Sequence, residues 1–220
     1  MVDQPGAGAS ARREYERRKA RDAATVDARK AQVRDRFGGG RFGSAVAALS
    51  VDSSERSSTR VWAQGAVGEE IVAQHLDRLV SPSVLVLHDR KIPGSRANID
   101  HIVVTRAGVT VIDSKRYLRK RPERYAGNGL KVGGRRRDSL LEGMNTQLQR
   151  VRAELPDSVD LAGVLCFVDA DWPIIGGSFS VKGIRVLWPK LLVKELSRQP
   201  DKGVDVPGLA LHLEGVFGPA

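Results

Sequence analysis

The chain has 220 residues, with 36 Lys or Arg against 26 Asp or Glu, for a formal net charge of +10 and an isoelectric point ≈ 10.2. Such a polycation suits polyanionic partners, above all nucleic acid, whose condensed counterions are released on binding. There is no apolar run long enough for a transmembrane helix, no apolar amino-terminal stretch of the secretory kind, and one cysteine, Cys166. A lone cysteine cannot form an intramolecular disulfide; neither a membrane partner nor a structural zinc site is expected, and a cytoplasmic protein is.

Residues 11–37 are rich in Arg, Ala and Glu, which favour helix, but they carry no Leu or Ile stripe at a helical period. They are expected to form a basic arm. It is either an exposed helix supported by pairs such as Glu16 with Lys19 or a segment that orders only on a partner. The runs Gly38–Gly43 and Ser50–Arg60 read as linkers. This divides the chain into an arm and linker over 1–60 and one globular domain over 61–220, long enough to bury a core.

Gly65–Leu76 (GAVGEEIVAQHL) reads as a helix with Val67, Ile71, Val72 and Leu76 on its apolar side and with Glu69 and Glu70 as acidic groups. Ile99, Ile102, Val103 and Val104, then Val109, Val111 and Ile112, are β-branched runs broken at Ala107-Gly108, so a hairpin is expected. A basic loop follows, from Arg116 through Arg119, Lys120 and Arg121 to Arg124. After it come a strand at Leu130–Val132 and a second basic cluster at Arg135, Arg136 and Arg137.

Asn145–Leu155 reads as a helix and Leu161–Val168 as a buried strand containing Cys166. DADWP at Asp169–Pro173 reads as a turn rather than a ligand set, and Trp188-Pro189 opens a terminal helix with proline in its first turn. Trp62, Trp172 and Trp188 are expected to pack at element ends, and aromatic residues are too sparse for a single-strand stacking platform. Tyr117 and Tyr125 flank the basic loop as candidate base contacts. The glycine pairs lack the pattern of a P-loop, so no nucleoside-triphosphate hydrolysis is expected.

In a strand, alternate side chains share a face, so Asp113 and Lys115 point together and Ser114 points away. The hairpin brings Asp100 beside them. Two carboxylates are hard oxygen ligands suited to Mg²⁺ or Mn²⁺ held together with a substrate phosphate, and a nearby ammonium can act on an attacking water. An isolated D-x-K pattern is more often a pair of solvated strand ends with a lysine beside them. His101 follows Asp100 and by alternation faces away from it, which favours a structural role.

These pieces in this order resemble the nuclease-related domain (NERD), a branch of the PD-(D/E)XK nuclease superfamily, from about Trp62 to about Leu196. The matching segments are G-x-x-G-E at Gly65–Glu69, N-I-D-H at Asn98–His101, G-V-T-V-I-D-S-K at Gly108–Lys115, the helix around Gln147, LCFVDADWP at Leu165–Pro173 and GIRVLWPKLL at Gly183–Leu192. The resemblance implies an α/β fold with a central mixed sheet flanked by helices, the restriction-endonuclease-like core. It implies Glu69, Asp100, Asp113, Lys115 and Gln147 as the catalytic set, and Glu69, Asp100, Asp113 and the Ser114 carbonyl as ligands of Mg²⁺ or Mn²⁺. The chain departs from the family pattern after Lys115, where many relatives have a glycine.

A metal-dependent nuclease acting on DNA, or on RNA, is the leading expectation, with the basic residues at 116, 119–121, 124 and 135–137 holding the backbone. The alternatives are a nucleic-acid-binding or recruitment module of the same fold that turns over weakly or not at all, a protein-interaction domain for an acidic partner and, for the basic run itself, a solvated loop.

Overall fold

The computed structural model describes residues 6–37, 57–125, 128–173 and 177–220. The linker expected at Gly38–Gly43 and most of that at Ser50–Arg60 lie outside the described residues, as does the side chain of Trp62. The chain divides into two compact units, Met1–Ala9 with Gly65–Ala220 in one and Ser10–Gln64 in the other.

Ala9–Phe37 forms one helix, α1, which belongs to the smaller unit from Ser10 on. Its surface ion pairs include Glu14 with Arg17 and Arg18. The next helix, α2, spans Ser57–Leu76, beginning eight residues before the start expected at Gly65. The difference lies at Gly65 and Gly68, which read as an entry from sequence but sit inside the helix.

The larger unit is built on a mixed six-stranded sheet flanked by helices, an α/β fold. Its strands are β1 (Val84–Lys91), β2 (Asn98–Thr105), β3 (Gly108–Arg116), β7 (Asp160–Val168), β8 (Phe179–Val181) and β9 (Ile184–Leu187), in the order β1-β2-β3-β7-β9-β8. The expected hairpin is β2–β3, joined through Arg106 and Ala107, with Thr105 opposite Gly108. β7 runs parallel to β3 and pairs with it along its whole length, from Gly108 opposite Asp160 to Arg116 opposite Val168. The carboxyl ends of β3 and β7 therefore lie side by side.

β1 was not expected. Its apolar run Val84–Leu87 is followed by His88, Asp89 and Arg90, and the last two are buried despite their charge. It pairs antiparallel with β2, and its far side is tied to the carboxyl terminus, where Lys91 N–H donates to Gly218 O at 2.8 Å and Ala220 N–H to Asp89 O at 3.0 Å.

Helices cover both faces of the sheet. On one, Ile102, Val104, Val109, Val111, Leu165 and Phe167 pack with α3 (Asp138–Arg152) and α5 (Val206–Val216). On the other, Val103, Ile112, Val164, Cys166 and Val168 pack with Val72 and Leu76 of α2 and with Leu192 and Leu196 of α4 (Pro189–Leu196). Each fully buried side chain of this kind contributes about 1.5–3 kcal/mol. Cys166 is one of them, and burial pushes its thiol pKa up, leaving an unreactive core group.

Three further expectations change. The helix placed at Asn145–Leu155 begins seven residues earlier, at Asp138; Gly143 weakens the pattern locally, but Leu141 and Met144 bury their side chains and carry the helix through it. The helix at Pro189 is not terminal, because α5 follows, with Asp205 as its N-cap accepting from Gly208 N–H at 3.2 Å. The basic loop after Lys115 is partly strand: β4 (Pro122–Tyr125) and β6 (Arg135–Arg136) flank the expected strand, β5 (Gly129–Val132), in a separate three-stranded sheet. Leu130 and Val132 anchor it in the core, a tertiary contact with no local signal.

Both tyrosines beside the basic segment are engaged within the fold. Tyr117 packs on Phe167, which meets Trp172, which in turn meets Trp188. Tyr125 donates its hydroxyl to Asp138 at 2.5 Å, and Lys131 and Arg136 lie against its ring.

Gly108 adopts φ +146°, and a Cβ there would lie 2.4 Å from the backbone oxygen of Asp160. Gly108→Ala is therefore expected to destabilise the protein by about 1–3 kcal/mol through strain, read as a lower chemical-denaturation midpoint. An unchanged midpoint would show that the β2–β3 turn relaxes freely.

Candidate active site

The β-ladder puts three aspartates in one row. Asp89 falls between His88 and Arg90, which face His101 and Ile99 on either side of Asp100; Asp100 and Asp113 come next to the last paired residues of the hairpin, His101 and Ile112. Lys115 is two residues beyond Asp113 and shares its face, and its Nζ is 2.6 Å from Asp113 Oδ2. The β2–β3 ladder has ended by this point, and the Ser114 amide donates to Asp100 Oδ2 at 2.7 Å.

Glu69 joins the row from α2. The helix comes close enough to the end of β3 that a Cβ on Gly68 would lie 3.1 Å from Cβ of Arg116, so only glycine permits this approach without displacement. Glu69 Oε2 is buried and has no hydrogen-bond partner.

Four carboxylates thus share a partly dry site with one ammonium. Burial, then Asp100 and Asp89, raise the Glu69 pKa to about 9, with Lys115 acting the other way. Burial and then Asp113 raise Asp100 to about 7, against the opposing pull of Lys115 and the Ser114 amide. Burial works against the Lys115 charge, but Asp113, Asp100 and Glu69 outweigh it and hold its pKa above the ordinary lysine value. Lys115 is therefore fully protonated at neutral pH.

Sequence reasoning missed Asp89. It is fully buried, adopts φ +49° and accepts from Asn98 Nδ2 at 2.9 Å. A charged residue ending an apolar run gave no sign of this; only the pairing of β1 with β2 turns it toward Asp100.

Among the described residues, no three His, Cys, Asp or Glu side chains converge as a ready-made metal cage. The donor set nonetheless fits a hard divalent cation: it is all oxygen, excess negative charge is buried, and one carboxylate oxygen lacks a partner. Mg²⁺ normally takes one or two carboxylates and completes its shell with water and substrate phosphate.

Gln147 lies on α3, which packs on the sheet face shared by Asp113, and its Oε1 is buried with no partner. His101 and Ser114 point to the opposite face, where Nε2 and Oγ are 3.0 Å apart.

The basic residues divide into three groups. Arg116 is bonded to Asp169 at 2.8 Å, and Arg121 lies 3.9 Å from Asp171. Arg137 is half-buried where α3 begins. Arg119, Lys120, Arg124, Arg135 and Arg136 are exposed, the last two on β6.

Residues 64–168 match the family model of the nuclease-related domain. The match begins inside α2 and ends with the last residue of β7, so Glu69, Asp89, Asp100, Asp113, Lys115 and Gln147 all fall within it. No curated protein and no solved structure matches the chain. Among the described residues, no helix is long and apolar enough to cross a membrane.

The raised pKa values have a consequence for stability. Unfolded carboxyl groups titrate near pH ~4, while Asp100 and Glu69 hold their protons to about 7 and about 9. Between those limits the folded state binds more protons than the unfolded one, so stability falls as pH rises. In EDTA the unfolding midpoint should decline from pH 5 to pH 9, and Glu69→Gln should flatten the decline. A flat wild-type profile would show that these carboxylates are solvated.

Proposed function

We propose, on the match of residues 64–168 to the nuclease-related domain, that this protein is a divalent-metal-dependent nuclease that hydrolyses phosphodiester bonds of DNA, or alternatively of RNA. The carrying observation is the row of buried carboxylates beside a fully charged lysine. A module that only gripped phosphate would gain nothing from these groups, since they repel it.

In this reading Asp100 and Asp113 hold Mg²⁺ or Mn²⁺, with Glu69 and the Ser114 carbonyl, which lies on the same strand edge as the Ser114 amide. When bound, the ion supplies Lewis acidity to a phosphoryl oxygen and lowers the pKa of a water. Lys115 stabilises the negative charge that develops on the phosphate oxygens in the transition state. Its bond to Asp113 aims the ammonium at the site. Gln147 offers its unpartnered Oε1 as an acceptor for the attacking water. Asp89 adds negative charge behind Asp100 and strengthens the site's demand for a cation.

The three-stranded basic sheet serves as a backbone grip. Arg116 and Arg121 are neutralised by their aspartates, so the footprint rests on Arg119, Lys120, Arg124, Arg135 and Arg136. These contacts position phosphates and carry no sequence readout.

Incubation of the purified chain with plasmid and linear DNA in Mg²⁺, Mn²⁺ or EDTA tests the proposal. Cleavage is expected only with metal. Asp113→Ala should reduce it to background with the fold intact, and Lys115→Ala should slow it by about 10²–10³-fold. Binding that survives EDTA with no cleavage in any metal would instead identify a recruiting module.

The grip has its own measurement. Replacing Arg135 and Arg136 with Ala should lower affinity for all DNA sequences alike and flatten the dependence of log affinity on log salt by roughly 1 per lost phosphate contact. An unchanged slope would assign these residues to solvation.

A further inference from the structure

A chain of hydrogen bonds crosses the sheet on the face opposite the carboxylates. Asp77, in the single turn of 3₁₀ helix that follows α2, lies 2.9 Å from His88 Nε2. His88 Nδ1 lies 2.8 Å from His101 Nδ1, and His101 Nε2 lies 3.0 Å from Ser114 Oγ. The outer end is solvated, with the Asp77 side chain 59% exposed, while His101 and Ser114 are buried.

The Asp77 carboxylate only accepts, so His88 donates Nε2–H to it. Between the rings one Nδ1 donates and the other accepts, and His101 Nε2 and Ser114 Oγ form the next bond in the same way. Asp77 and Ser114 are thus joined through both rings in one unbroken chain, in which each bond polarises the next.

Ser114 is gripped from both sides. Its hydroxyl is held from behind by His101, and its amide faces forward to Asp100 Oδ2 at 2.7 Å. Apolar residues would fill the same space without the cost of burying two imidazoles.

We infer that Asp77, His88 and His101 are positioning residues, a hydrogen-bonded strut that fixes the rotamer and peptide plane of Ser114 and, through its amide, the Asp100 carboxylate. The inference rests on the metal-site reading above for what those groups hold. A strut of this kind acts on metal affinity as the outer partners of metal ligands do, where loss typically costs 10–100-fold.

The test uses the full chain and two readouts that do not involve turnover: Mn²⁺ affinity by calorimetric titration, and, without metal, hydrogen exchange at the residue 114 amide with ¹⁵N shifts of the histidine rings. Ser114→Ala should weaken Mn²⁺ by about tenfold and speed exchange at residue 114, and Ser114→Thr, which keeps Oγ, should recover both. Asp77→Ala changes an exposed side chain and should leave folding intact, yet change the ¹⁵N shifts of both histidine rings and weaken Mn²⁺ by about threefold.

Wild-type Mn²⁺ affinity in Ser114→Ala and Asp77→Ala, with binding lost in Asp113→Ala, would overturn the strut alone. Wild-type affinity in Asp113→Ala would overturn the metal reading. In that case unchanged exchange at residue 114 in Ser114→Ala would overturn the strut as well.

Discussion

The organisation of this domain depends on bringing like charges together out of water. Asp89, Asp100 and Asp113 sit on neighbouring strands, Glu69 reaches them from α2, and Lys115 opposes their charge within the site. Burial first and mutual repulsion second raise the pKa values of Glu69 and Asp100, so that such a cluster, left alone, holds protons. The arrangement persists because the hydrophobic sheet beneath it over-determines the backbone: Ile102, Val104, Val111, Leu165 and Phe167 on one face, and Val103, Ile112 and Cys166 on the other, are all fully or almost fully buried. The core supplies stability, and the strand ends spend part of it on a strained electrostatic site.

Parallel pairing of β7 with β3 is the second element of that arrangement. It places Asp169 beside Arg116 and closes the far side of the site with an ion pair. It also requires a crossover between the two strands, and this chain uses the crossover to carry the basic three-stranded sheet as well as α3. Asp138, at the start of α3, staples that sheet in place by accepting from Tyr125 and from the Leu130 amide. Positive charge is thus held on a defined surface rather than on a free loop.

The two faces of the β2–β3 hairpin do different work because of strand alternation. One face presents carboxylates, and the other buries His101 and Ser114. A single peptide, that of Ser114, belongs to both, with its side chain turned to the histidines and its amide to Asp100. Information about the back of the sheet can reach the site through that one residue.

The residues of β2 and β3, with their β-branched runs, Gly108 turn and period-2 alternation, determined by themselves the hairpin, the shared face of Asp113 and Lys115 and the opposite face of His101 and Ser114. All of these follow from local backbone geometry. The buried apolar run of β7 and the basic character of residues 116–137 were legible for the same reason. Tertiary structure alone decided the place of Asp89, the strand character of β4 and β6, the early start of α3, the presence of α5, and which arginines are already paired. Each of these is set by a contact between residues distant in sequence: Asp89 joins the site only through the pairing of β1 with β2, and Arg116 reads as a free cation until Asp169, 53 positions further on and just beyond the end of β7, comes to lie beside it.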